Sequence, residues 1–339
     1  MIDLSQNTTY TFNIKLTGQS YTLKTLNFTT PSMPSFGGNG SINTSIMTFP
    51  YTGPSSPVVN ADYSRMILNK MGANAGVFYS TYNGSTWSTP VSFYTPREIF
   101  QTCLSYKGDI GMFLDTNRNT PTTNNICTFS WPYGSTPTIT STVNLANINT
   151  IAMTIDGKFA VSFDTSGCYY SRLNSSTNSF STFTSVSLSL IVYYSCCFNN
   201  SSTAIVCQND TGLYVYSINN ITTGTPSFIL KKTYLNNNQI QRGLILVGGY
   251  YTTGIYNFNT DNSSGKLYIK YASFSDISLG SVDTSSNNLQ GTVTFENSLS
   301  SFSFNDANIF MLSSIGYGNI LYYSTLYNNA TSYIYKITM

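Results

Sequence analysis

Apolar and polar positions alternate along this chain in short bursts closed by Asp, Asn, Gly or Ser/Thr, and the bursts recur in segments of roughly 45 residues that share one internal order. Each segment reads as an apolar stretch, a turn, a second apolar stretch, a Gly, an aromatic stretch ending near Tyr-Ser, a polar loop and a last alternating run. Ile151–Ile155 turns at Asp156 and Gly157 into Lys158–Phe163, then passes Gly167 into Cys168–Ser171. Cys196–Phe198 turns at Asn199 and Asn200 into Ala204–Cys207, then passes Gly212 into Leu213–Ser217. Phe302–Phe304, Asn305 and Asp306, Asn308–Leu312, Gly318 and Ile320–Ser324 repeat the order near the end.

Six such segments start near Val58, Ile99, Ile148, Tyr193, Ile240 and Leu299, and none carries helical periodicity. Each is expected to supply four short strands, and four-stranded sheets repeated radially leave only short edges exposed. The reading is all-β, a six-bladed β-propeller over residues 46–339, with a β-sandwich or parallel β-helix as the alternative.

Residues 1–31 follow a different pattern. Thr8–Lys15 and Tyr21–Phe28 alternate with period two and predict a pair of strands joined near Gly18. Tyr10, Phe12, Ile14, Leu23, Leu26 and Phe28 are read as its apolar positions and as an assembly anchor, because a lone hairpin of this size is marginal in water. Residues 32–45, rich in Pro and Gly, are read as a linker.

Composition narrows the function. Hydrophobic residues make up 41% of the 339 residues, enough for a core, but charged residues only 8%, against roughly 25% in an ordinary soluble domain. The net charge of +2 comes without a Lys/Arg cluster, so nucleic acid is not an expected partner. No secretory leader is visible at the N-terminus, and no apolar run is long enough for a membrane-spanning helix.

The chain has no His, which excludes Ser-His-Asp, Cys-His and His-metal chemistry. Its six Cys, at 103, 127, 168, 196, 197 and 207, form no Cys-x-x-Cys pair, so no zinc site and no cofactor are expected. Buried free thiols are the simpler reading, while a bridge from Cys207 to Cys196 or Cys197 across a tight hairpin stays open. Asp62, Asp109, Asp156 and Asp306 recur in the turn between the first two strands of different segments, where Asp bonds its own backbone. Spread around a ring, they would not converge on one ion. The 27 Tyr are mostly packing residues, but exposed rings beside Asn amides also suit stacking on sugars.

Ser80, Gly84, Thr86 and Trp87 stand in Ser-Thr-Tyr-Asn-Gly-Ser-Thr-Trp, which resembles the Asp-box of sialidase-like propellers, with Tyr82 at the Asp position. Echoes occupy Ser171–Phe180, Ser217–Phe228 and Ser324–Tyr333. In that family the box is a folding element remote from the catalytic face. A sialidase of that family would use an arginine triad, a Tyr/Glu nucleophile pair and an acid/base Asp. This chain has only Arg65, Arg97, Arg118, Arg172 and Arg242, with Glu98 and Glu296 as its glutamates, and the early Arg-Ile-Pro signature is missing. The chain is therefore read as not an enzyme.

The N-terminal strand pair resembles the last two strands of a fibronectin type III domain, with Tyr10 as the tyrosine-corner residue. Together these features resemble the virion-surface or fibre-associated proteins of large DNA viruses. The resemblance implies a noncatalytic structural or attachment protein, extracellular or on a virion surface, bound to itself or to a capsid or fibre protein through residues 1–31. A carbohydrate-binding propeller with glycans as ligands is the alternative, and a degenerate sialidase-like hydrolase the third.

Overall fold

A computed structural model describes residues 9–14, 22, 24–29, 41–42, 46–49 and most of 57–235, and beyond these the strand backbone of 245–248, 253–261, 266–273, 289–292, 297–303, 309–313, 320–327 and 331–338. Every regular element among the described residues is a strand. β1 (Thr9–Ile14) and β2 (Lys24–Thr29) form an antiparallel two-stranded sheet. The remaining strands form six further sheets, each with a core of four antiparallel strands.

The first of the six is β5 (Val58–Val59), β6 (Arg65–Lys70), β7 (Gly76–Thr81) and β8 (Val91–Tyr94). The second is β9 (Ile99–Leu104), β10 (Ile110–Asp115), β11 (Asn125–Ser130) and β12 (Thr138–Asn144). The third is β13 (Thr150–Met153), β14 (Phe159–Phe163), β15 (Cys168–Arg172) and β16 (Thr184–Val186). In the fourth, β17 (Ser195–Phe198), β18 (Ala204–Asn209), β19 (Gly212–Asn219) and β20 (Ser227–Leu235) follow in chain order. The fifth is β21 (Ile245–Gly248), β22 (Thr253–Asp261), β23 (Lys266–Ser273) and β25 (Asn297–Ser303). Between its last two strands the chain sends β24 (Leu289–Thr292) to pair in parallel with β20, so the outer edge of the fourth sheet is occupied by a fifth strand.

The sixth sheet differs from the sequence reading. Only β26 (Ile309–Ser313), β27 (Ile320–Tyr327) and β28 (Thr331–Thr338) come from the last segment. Its outer side is completed from the other end of the chain, by β3 (Ser41–Ile42) and β4 (Met47–Phe49), both antiparallel to β28. The stretch near Leu299, read as the start of the last repeat, is instead the outer strand of the fifth sheet. The physical reason is closure: a strand borrowed from the chain start covers an edge that three local strands would leave open.

Alternate residues of the inner strands β6, β10 and β14 pack against different neighbouring sheets. On β6, Met66 and Leu68 join Met47, Phe49 and Val59, while Ile67 joins Phe113, Phe129 and Trp131 of the second sheet. On β10, Met112 and Leu114 meet Ile151 and Phe180 of the third sheet. On β14, Phe159, Val161 and Phe163 meet Phe198, Ile205 and Tyr216 of the fourth. With both faces covered, β6 and β10 are buried along their whole length, which explains why their sequences run apolar without a clean alternation. The first strands of successive sheets also touch in order: β5 with β9, β9 with β13, β13 with β17 and β17 with β21. Among the described residues the buried clusters lie between sheets rather than within one.

Candidate functional site

The turns joining the first two strands of the first, second and third sheets share one geometry. The N–H groups of Asn60, Ser105 and Thr154 donate to the carbonyls of Arg65, Ile110 and Phe159, at 3.1, 2.8 and 2.8 Å. The fourth residue of each turn takes a positive φ: Tyr63 at 58°, Gly108 at 70° and Gly157 at 70°. Asp62 and Asp156 occupy the third position, and each accepts through Oδ1 from the N–H two residues on, Ser64 at 3.0 Å and Lys158 at 3.1 Å. Asp109 sits two positions later and accepts from the Ser105 hydroxyl at 2.7 Å. The three carboxylates therefore serve the same turn from two positions, and Asp306 lies outside the described residues. Partial burial would push the Asp62 carboxyl up, but the Ser64 hydroxyl and amide, the Asn60 amide and the Arg65 charge outweigh it and hold the group below the ordinary Asp range.

Ser80, Gly84, Thr86 and Trp87 come together in the β7–β8 turn. The Ser80 hydroxyl donates to the Ser88 carbonyl at 2.7 Å, Gly84 has φ 96°, and Thr86 accepts from the Asn83 N–H at 3.1 Å. Trp87 packs on the Met47, Phe49 and Met66 cluster, with Tyr82 tilted across it at 5.4 Å. Asn83 Oδ1 accepts from the N–H groups of Ser85 and Thr86 at 2.9 and 2.8 Å, so the amide next to Tyr82 holds the turn.

Two arginines tie neighbouring sheets together. Arg65, buried at the start of β6, donates through one guanidinium nitrogen to the carbonyls of Gly108 and Trp131 in the second sheet, and lies 5.1 Å from the Trp131 ring. Arg172, at the end of β15, donates to the carbonyls of Asn220, Ile221 and Gly224 in the fourth sheet at 2.6–2.7 Å. Each stacks on aromatic rings as it does so, Arg172 at 5.2 Å from Tyr170. Arg97, Arg118, Arg242, Glu98 and Glu296 lie outside the described residues.

A cleft of about 560 Å³ opens where the turns of the second and third sheets meet. The β9–β10 turn supplies Tyr106, Lys107 and Asp109, the β13–β14 turn supplies Asp156 and Lys158, and Asn178 closes one side from the β15–β16 turn. The two sheets are registered here by the Tyr106 N–H donating to the Ile155 carbonyl at 2.6 Å, and by Thr140 and Ser141 donating to the carbonyls of Asn178 and Phe180. The sequence marked Asp109 and Asp156 only as turn formers. What would have located the cleft is the repeat itself, which places equivalent turns of successive segments side by side on one face.

Cys103, Cys127, Cys168, Cys196 and Cys207 stand as thiols rather than in disulfides, and the side chain of Cys197 lies outside the described residues. Cys196 and Cys207 are register partners on β17 and β18. Burial, with Cys196 close by, pushes the thiols of Cys103 and Cys168 well up from their ordinary value. Among the described residues no group of three or more acidic, Cys or His side chains is arranged to hold a metal ion.

In the N-terminal pair, Tyr10 is the register partner of Phe28, Phe12 of Leu26 and Ile14 of Lys24. Leu26 is 43% exposed. Across the pair Thr11 donates to Asn27 at 3.0 Å and Thr25 to Asn13 at 2.8 Å. Leu23 lies outside the described residues. No helix among the described residues is long and apolar enough to cross a membrane.

No family model matches the chain, and no curated protein does. Solved structures do. A functionally unknown protein from Desulfotomaculum acetoxidans DSM 771 aligns at 13% identity over 84% of this chain and 76% of its own, with a TM-score of 0.48. A structural genomics protein of unknown function from Bacteroides thetaiotaomicron aligns at 12% identity over 90% and 73%, also with a TM-score of 0.48. The β-propeller domain of Cps50 (Swd1) from Myceliophteria thermophila aligns at 9% identity over 87% of this chain and 99% of that domain, with a TM-score of 0.50. With the face-packed four-stranded sheets, that last likeness establishes the fold: this chain is built as a β-propeller.

Proposed function

We propose that the chain is a noncatalytic six-bladed propeller serving as a structural or attachment component on the surface of a virus particle or similar assembly, joined to its neighbours through β1–β2. The observation that carries this reading is that β1 and β2 make a sheet of their own and pair with no strand of the six others among the described residues. A two-stranded sheet gains little in water until its face and edges are covered. Adding strands to a neighbouring molecule's sheet edge covers both. The six-bladed ring is supported by the six sheets, by the sequential contacts of their first strands and by the completion of the sixth with β4.

The noncatalytic assignment is supported by the use of Arg65 and Arg172 as ties between sheets rather than as groups converging on a substrate carboxylate. The Asp-box-like turn, with Asn83 in the acidic role, is read as a folding element. The scarcity of charge, at 8% of residues, suits an exterior held in water by hydroxyls and amides.

Deleting residues 1–35 tests the reading, because it removes β1 and β2 while keeping β3 and β4 for the last sheet. The truncated chain is expected to be folded and monomeric by circular dichroism and size-exclusion chromatography, and to be absent from purified particles. Normal incorporation of the truncated chain, or its outright unfolding, overturns the assignment.

A further inference from the structure

We infer that the cleft between the second and third sheets binds a neutral pyranose sugar. A volume of about 560 Å³ lies in the range of small-ligand sites and accommodates one or two sugar rings. Its lining pairs the two surfaces a pyranose presents. Tyr106, which is 41% exposed, with Pro132, Ile155 and Leu173, offers an apolar panel for the C–H face of a ring.

Polar groups stand around that panel in complementary pairs. Asp109 and Asp156 each commit Oδ1 to their own turn, Asp109 to the Ser105 hydroxyl and Asp156 to the Thr154 hydroxyl and Lys158 N–H. Oδ2 of each remains as an acceptor for sugar hydroxyls. Lys107, Lys158 and the Asn178 amide supply donors, and the Asn178 backbone is fixed by the Thr140 hydroxyl donating to its carbonyl at 2.8 Å. A vicinal diol both donates and accepts, and this alternation of carboxylate with ammonium and amide serves both roles.

Charge balance decides the class of sugar. Two carboxylates and two ammonium groups meet in one cleft of a chain whose residues are only 8% charged. Their opposite signs balance, so the site has no net charge to draw in a phosphate or a sugar acid, and hydrogen bonds and ring contact select the ligand. Glucose-, galactose-, mannose- and N-acetylglucosamine-type rings fit that description.

The test uses the full chain, with saturation-transfer NMR and titration calorimetry against the methyl glycosides of those four sugars and, separately, N-acetylneuraminic acid. At least one neutral glycoside is expected to bind saturably, with N-acetylneuraminic acid weaker. Tyr106→Ala is expected to weaken binding by about tenfold or more. The double variant Asp109→Asn, Asp156→Asn keeps an Oδ1 acceptor for each turn but replaces the second oxygen with a donor, so it is expected to lose binding by a similar factor with its melting temperature held. Tyr82→Ala, on a different turn, is expected to bind as the unmodified chain does. Absence of binding by all four glycosides, preference for the sugar acid, or retention of binding by Tyr106→Ala and the double Asn variant overturns the proposal. The deletion of residues 1–35 is expected to leave sugar binding intact, so the outcome is independent of the N-terminal attachment reading.

Discussion

Arg65 holds the Trp131 carbonyl from one sheet to the next while its guanidinium lies 5.1 Å from the same residue's ring. The contact joins a buried cation to a backbone acceptor that faces no water, so deletion leaves both the Trp131 and the Gly108 carbonyl short of a donor. Arg65→Ala is expected to cost about 3 kcal/mol, read as a lowered thermal midpoint. Arg65→Lys is expected to recover less than half, because an ammonium neither reaches two carbonyls in a fixed plane nor stacks as a flat cation.

Glycine substitutions should separate backbone strain from collision. Gly84 has φ 96° with open space around it, so Gly84→Ala is expected to cost only the left-handed backbone term, about 1 kcal/mol. A Cβ on Gly108, at φ 70°, would meet the Asn60 Cβ at 2.9 Å and the Arg65 Cδ at 3.0 Å, which adds a clash inside the arginine contact. At Gly111 it would meet the Phe129 ring at 2.1 Å and the Cys103 carbonyl at 2.8 Å. Thermal melts are expected to rank Gly84→Ala as mildest, with Gly108→Ala and Gly111→Ala costing about 2–4 kcal/mol. Equal losses at all three would contradict this packing.

Much of this was legible from residue pattern alone. The Asp156–Gly157 turn and the Ser80 to Trp87 turn announce themselves because local backbone chemistry writes them locally. The role of Asn83 was not readable, since the motif points to position 82 and a neighbouring amide can reach the same N–H groups. Neither was the pairing of Met47–Phe49 with Ser332–Ile334, nor that of β24 with β20, because no local pattern records which distant edge a strand will meet. The tie made by Arg65 was not readable either, because its partners are backbone carbonyls, which leave no trace in side-chain identity.

The thiols should be nearly inert in the native state. Burial raises Cys103 and Cys168, and the thiolate is the reacting form, so iodoacetamide at pH 7.5 is expected to modify the described cysteines far more slowly than in urea. Peptide mass mapping of alkylated native protein checks this. Rapid modification of Cys168 would show that its surroundings open readily.

Asp62 provides a pH signature with a fixed sign. Its folded value lies below the ordinary Asp value near 3.9, so its contribution is present above that pH and is lost as pH falls through the folded value. The group is exposed to solvent, so the effect is expected to be small. The stability gap between the wild-type chain and Asp62→Asn should be larger at pH 7 than at pH 3, measured by urea midpoints. A gap that widens on acidification would reverse the sign.

The antiparallel pairing of Phe49 with Ser332 gives the molecule a clasp whose two halves are made at opposite ends of synthesis. On a ribosome, Met47–Phe49 emerges first and waits on the order of tens of seconds for its partner. Through that interval the cluster around Met47, Phe49, Met66 and Phe78 has apolar surface but no sixth sheet behind it. Folding is thus completed late, by pairings that join the two ends of the chain, and a ribosome stalled before Thr331 would release a chain of correctly paired strands with an unfastened clasp.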